Sequence, residues 1–300
     1  MADRQRKITT FPFVLLLLVF LGSPVAADEQ YWEYTVRPGD NIWNLTKTHC
    51  TSVRYWKRIQ TLNNIDLDRE IPPGTRLRFP LSILKHQPAT AIVAQLQGNA
   101  ELVRAGASNT VPLQAGTSLR SGDRITTGAD SNLTLQFADD SRLLVLENSE
   151  VLMDSLSAWG TTGMVDTSIR LQGGRVDTQV KPSRGPGSRY QIITPAAVAA
   201  VRGTDFRVSA ETGKPVMRSE VTEGTVGVGN ASRSTAVKAG FGLVAEPGKV
   251  PDKPRKLLPA VNLSGLPPVQ RQLPLTFAWP GLKGARGYRF QIAPNADFDL

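Results

Sequence analysis

Between Ile92 and Ala245 the chain is written in short apolar runs broken by glycine or by Asp and Asn, and this pattern leaves little choice of fold. Ser131–Phe137, Ser141–Leu146, Arg175–Val180 and Phe206–Val208 alternate apolar and polar residues with a period of two, and Ile169–Leu171 is a shorter run of the same kind. That is the mark of half-buried strands. Gly122-Asp123, Gly128, Asp139-Asp140, Gly173-Gly174 and Gly224 punctuate them as turn signals, so residues 92–245 are expected to form an all-β sandwich, roll or short solenoid. Gly122, Gly203 and Gly224 then permit turns or bulges, and Asp123 and Asp205 are expected to bond turn backbone. Ala196–Val201 is too short to cross a bilayer.

Residues 1–27 have a different character. Arg4, Arg6 and Lys7 precede the apolar run Phe13–Leu21, and Val25-Ala26-Ala27 puts small residues where a signal peptidase needs them. This is read as a secretory signal cleaved after Ala27. The apolar run is well short of the roughly 20 residues a spanning helix requires, so no stable membrane insertion is expected after cleavage. The localisation that follows is secreted, in a periplasm of Gram-negative type.

Residues 34–80 read as strand, helix, helix, strand. Tyr34–Val36 is β-prone and Pro38-Gly39 breaks it. Asp40 is the expected N-cap of a helix carrying Ile42, Leu45 and Thr46 on one face. Ser52 opens a second helix with Val53, Trp56 and Ile59 inward, ending near Asn63-Asn64. Ile71-Pro72-Pro73-Gly74 is a turn, and Thr75–Phe79 alternates as the closing strand. Trp43 and Trp56 are expected in the core, because a unit this small needs aromatic area to bury. Cys50 is read as a small residue near the helix junction.

Tyr34-Thr35-Val36-Arg37-Pro38-Gly39-Asp40-Asn41-Ile42-Trp43, followed by Leu62-Asn63-Asn64-Ile65 and Ile71-Pro72-Pro73-Gly74-Thr75-Arg76-Leu77-Arg78-Phe79-Pro80, resembles a LysM domain. The resemblance implies a βααβ module that binds N-acetylglucosamine-containing glycans, in bacteria peptidoglycan, in a shallow groove between the turn after the first strand and the turn before the second. By position, Gly39, Asp40, Asn41 and Ile42 would form one side and Asn64, Ile65, Pro72 and Pro73 the other. Backbone groups at glycine and proline turns can bond an N-acetyl group, and Ile42 and Ile65 offer it an apolar seat. Asn41 stands where that family usually carries Thr or Ser.

Leu119–Gly128, Phe137–Ser141, Gly174-Arg175-Val176, Thr194–Val198 and Val201–Val208 resemble, in that order, the FecR-type domain. That family is named for a regulator that passes a signal from an outer-membrane receptor to a sigma factor. What the resemblance implies here is a periplasmic β-domain that contacts another envelope protein or polymer. Residues 246–275 hold seven prolines and read as a basic linker or entry strand. Thr276–Pro280 and Gly287–Ala293 look like two strands at the start of an immunoglobulin- or fibronectin-like sandwich. Such a sandwich needs more chain than residues 276–300 supply, so either a longer natural protein or a poorly ordered end piece is expected. The fold class is therefore multidomain: a small α+β module, an all-β domain and a partial β segment.

Catalysis finds no footing. The chain has two histidines, His49 and His86, and one cysteine, Cys50. They offer neither a zinc ligand set nor a nucleophile with a placed base. Asp66-Leu67-Asp68-Arg69-Glu70 lacks the glycine and remaining ligands of a calcium loop, and Gly227-Val228-Gly229 lacks a dinucleotide loop's third glycine. Glu147, Glu150 and Asp154 suggest no groove for a carboxylate pair. No cofactor, metal or enzymatic activity is expected. The formal charge of +9 comes from 35 basic and 26 acidic residues, with 7 basic against 3 acidic after position 250. In an exported chain such charge suits anionic envelope polymers better than nucleic acid. The reading is an exported, non-catalytic peptidoglycan-binding protein presenting a FecR-type β-domain, with a signalling adaptor acting through that domain as the alternative and a surface-polysaccharide or adhesin scaffold as a third possibility.

Overall fold

The computed structural model describes residues 29–66, 71–211, 213–230, 233–267, 269, 271 and 273–292. The expected signal segment lies outside them. So do Leu67–Glu70 within the acidic loop and Ala293 of the second expected tail strand.

The N-terminal module has the expected order: β1 (Tyr31–Thr35), α1 (Ile42–His49), a 3-10 turn at Val53–Tyr55, α2 (Trp56–Leu62) and β2 (Arg76–Pro80). β1 and β2 pair antiparallel from Tyr31↔Pro80 to Thr35↔Arg76. Helix α1 forms because Ile42, Leu45, Thr46 and His49, spaced three and four apart, all face the core. Its N-cap is Asn41 rather than Asp40: the Asn41 side-chain oxygen accepts from the Asn44 amide at 2.8 Å. Ser52 caps the 3-10 turn by accepting from the Arg54 amide at 3.3 Å. Asn63 clamps the end of α2 to β2, donating to the Arg78 carbonyl at 3.0 Å while its own oxygen accepts from the Arg78 amide at 2.7 Å.

Trp43 corrects the expectation of a core residue, being 48% exposed; its ring stands 6.4 Å from the half-buried Trp56. At its helical position the side chain points away from the stripe that Ile42 and Leu45 fill. Cys50 is buried and bridges to Leu84, and burial pushes its thiol up to about 11.

The β-domain is organised by one strand, Val165–Gln179. The expected turn at Gly173-Gly174 lies inside it. The first half of this strand pairs with Glu150–Ala158 and, in parallel, with Arg189–Ile193. Its second half, from Gly174, pairs with Arg142–Val145 and Asp205–Ala210. Two ladders thus share one strand and wrap, barrel-like, around a single core. Gly174 makes the crossing possible: it sits at φ +94°, and a β-carbon there would lie 2.5 Å from the Ser149 Cα. The first ladder continues through Val198–Val201 and Thr225–Gly229 to Ser234–Lys238, the second through Met217–Glu223 to Phe241–Ala245.

Asp123 is buried as a turn binder, accepting from the Ala105 and Arg120 amides at 3.0 and 2.9 Å and from Arg104 at 2.7 Å. Asp205 departs from expectation. Its register partner is Glu223, and burial together with that neighbouring carboxylate raises its pKa.

Beyond Ala245, Arg255–Lys256 pairs back onto Phe241–Gly242. The expected strands at Thr276–Pro280 and Gly287–Ala293 form no ladder among the described residues. They do meet through their aromatic rings: Phe277 lies 4.8 Å from Phe290 and Trp279 lies 5.9 Å from Tyr288.

Candidate functional site

The two turns named from the sequence are adjacent because β1 and β2 pair up to the point where each turn begins. The Val36 amide donates to the Thr75 carbonyl at 2.9 Å, and the Gly74 amide returns a bond to the Val36 carbonyl at 2.8 Å. Gly39, Pro72 and Pro73 are exposed, and Asp40 and Asn41 are half-exposed. Asn64 is also exposed and takes the left-handed conformation at φ +53°. Gly39 itself stands at φ +87°.

Three of these residues have structural duties. Asp40 binds its own turn, accepting from the Tyr34 hydroxyl at 2.6 Å and the Arg37 amide at 2.8 Å. Burial and this bond to Asp40 push the Tyr34 phenol up. Asn41 spends its side-chain oxygen on the helix cap. Ile42 is fully buried, which corrects its assignment as an apolar seat: it is core, and no ligand can touch its side chain. Ile65 is half-buried against the same core and keeps part of its surface open. The usable surface is therefore Gly39, the free faces of Asp40 and Asn41, Asn64, Ile65, Pro72 and Pro73. Trp43, two residues beyond the cap, is an exposed aromatic that sequence reasoning assigned to the core. Its offset by one from the buried Ile42 was the available signal.

The module is not suspended on a linker. Its core of Trp32, Leu77, Phe79 and their neighbours includes Met164 of the β-domain, which is fully buried there. Gly187 permits the close approach, since a β-carbon on it would come within 3.3 Å of Leu81, Met164 and Trp159 side-chain atoms. Both histidines lie at this joint. His49 stacks 4.9 Å from Trp32 and its Nδ1 is 3.4 Å from the Thr161 hydroxyl. His86 bonds the Ser157 hydroxyl at 2.9 Å and lies 4.6 Å from the Trp159 ring. Burial holds the His49 pKa below its ordinary value, the Lys85 cation adds to that and Asp40 opposes it.

Among the described residues no cluster of His, Cys, Asp and Glu could hold a metal ion, and no helix is long and apolar enough to cross a membrane.

Residues 34–80 match the family model of the LysM domain, and residues 123–227 match that of the FecR protein. The chain thus carries a LysM domain followed by a FecR domain, in the order the motifs imply. No curated protein matches the sequence. Two crystal structures of a candidate anti-sigma factor from Parabacteroides distasonis are similar to part of the chain, at 13% and 12% identity with TM-scores of 0.37 and 0.36. Each match covers 44% of this chain and 59% of that one.

Proposed function

We propose that residues 34–80 bind an N-acetylglucosamine-containing glycan, peptidoglycan in a bacterial envelope, and that the β-domain they are docked on is presented to another envelope component. The observation that carries this reading is the LysM match over residues 34–80, whose two turns are held side by side by the Val36, Gly74 and Thr75 backbone bonds. The acetamido group would lie over Ile65 between the Gly39 and Pro72-Pro73 turns, bonding exposed backbone groups. One shallow site of this kind gives a dissociation constant of roughly micromolar to millimolar, about 4 to 8 kcal/mol. A dense polymer retains such a protein by rebinding. Both matched families are binding or regulatory domains, which fits a non-catalytic reading of the chain.

The test is retention of the full chain on purified peptidoglycan at low and high salt. Ile65→Asp combined with Pro73→Glu should lose salt-resistant retention while the melting curve of the β-domain is unchanged. Undiminished retention at high salt would overturn the groove. Point variants are required, because deleting the module would uncover Met164 and Trp159 and create a new apolar patch.

The FecR match supports a second reading, in which the β-domain is the active part of a signalling adaptor and the module only localises it. It expects one protein crosslinked to the β-domain whose capture survives Ile65→Asp with Pro73→Glu.

A further inference from the structure

On the outer face of the second ladder, Arg175 is paired in register with Ser209, and Ser209 with Arg218. Val176 and Val208, next along the same strands, are buried, so this row of side chains points outward. Strands are spaced about 4.8 Å apart, which leaves the two arginines roughly 10 Å apart at their bases with the Ser209 hydroxyl between them. The Ser209 hydroxyl has no hydrogen-bond partner among the described residues, and Arg175 has no ion pair. Arg218 is paired with Glu211, and Arg289, reaching over from the C-terminal segment, is paired with Asp177.

Arg175, Ser209, Arg218 and Arg289 line a groove of about 960 Å³ between the sheet and residues 256–261 and 282–291. Arg207 and Lys256 add to its positive lining, and Glu220 is the carboxylate that lines it. The opposite wall is apolar: Leu258, 53% exposed, with Leu282 and the Tyr288 ring. A guanidinium fork is matched to oxyanions, and here Arg175 and Arg218 flank Ser209 in register while Arg289 lines the same groove, Arg218 and Arg289 each sharing their charge with one carboxylate, Glu211 and Asp177. That arrangement suits the three terminal oxygens of a phosphate monoester rather than a planar carboxylate. The apolar wall beside the cations asks for a ligand with an apolar body.

We propose that this groove is a binding site for a phosphate-bearing amphiphile, with the phosphate held by Arg175, Arg218 and Arg289 over Ser209 and the apolar part laid along Leu258, Leu282 and Tyr288.

The test is calorimetric titration of the full chain with dihexanoylphosphatidic acid, kept below its micelle concentration, and with glycerol 3-phosphate, which has the head group alone. The lipid should bind at least about tenfold more tightly than glycerol 3-phosphate, and Arg175→Gln with Arg218→Gln should weaken both by about tenfold or more. Leu258→Ser should weaken the lipid and leave glycerol 3-phosphate unchanged. Comparing each variant with the parent chain removes any contribution from the apolar residues 13–21, which all of them carry. Equal affinity for both ligands would overturn the proposal in favour of a free-phosphate site. A Glu-rich peptide that bound more tightly than the lipid would overturn it in favour of a protein partner. Absence of binding, or binding indifferent to the arginine substitutions, would remove the site.

Discussion

The N-terminal module and the β-domain bury their apolar residues on different terms. Among the described residues the module's core comprises 12 buried residues, one of which, Met164, belongs to the β-domain. The β-domain's core comprises 35 residues, all between Ala91 and Ala245, and takes none from the module. A domain of about fifty residues removes a smaller share of its surface from water than a large one and is correspondingly marginal, and borrowing a methionine from a neighbour adds to its core. The β-domain has no such need. The comparison teaches that the proposed glycan surface is carried on a fixed joint, so its direction relative to the β-domain is set by packing.

The comparison breaks hardest at the strand the two ladders share. Gly174→Val should destabilise the β-domain by about 3–5 kcal/mol, combining a disfavoured positive φ with a clash against Ser149. Because the module depends on Met164, both regions should lose structure together in thermal unfolding followed by near-ultraviolet circular dichroism.

Met164→Ala should separate them. The expected loss is about 2–5 kcal/mol, felt by the module, with the β-domain's transition kept near its parent temperature. A single cooperative transition lowered as a whole would show instead that the two cores unfold as one.

The smallest effect is a pH dependence at the joint. His49 has its pKa held below the ordinary histidine value, by burial first and by Lys85 second, so the folded module resists its protonation. The module's stability should be complete above about pH 6.5 and decline as the pH falls through the folded value. The groups facing His49 are Lys85, Asp40, Tyr34 and the Thr161 hydroxyl. His49→Gln should flatten the slope in chemical unfolding measured between pH 7.5 and pH 5. An unchanged slope would place the titration elsewhere.

Much of this architecture was legible residue by residue. The period of two in Ser131–Phe137 and Ser141–Leu146 announced the hairpin that Asn132–Gln136 and Arg142–Val145 form. The spacing of Ile42, Leu45 and Thr46 marked the buried face of α1, and Asn63-Asn64 its partner's end. The errors share a cause. Asp40 and Asn41 are adjacent capping residue types, and only the path of the chain decided that Asn41 caps the helix while Asp40 binds Tyr34. Gly173-Gly174 carries the composition of a turn, yet pairing on both ladders keeps it inside one strand, with Gly174 at a positive φ where the ladders cross. The aromatic pairs of the C-terminal segment were foreseeable from Phe277, Trp279, Tyr288 and Phe290, but no ladder accompanies them among the described residues.

By itself the sequence determined the order of elements in the N-terminal module, the families matched by residues 34–80 and 123–227 and the identity of the two turns flanking the proposed glycan surface, because these depend on local periodicity and on glycine and proline. The tertiary structure alone decided that Ile42 is buried and Trp43 exposed, that one strand serves two ladders, that Met164 completes the module's core, and that Arg175, Ser209, Arg218 and Arg289 line one groove. Each of those joins residues that are distant in the chain or sorts adjacent ones between two faces, and packing of the whole settles such matters where local pattern cannot.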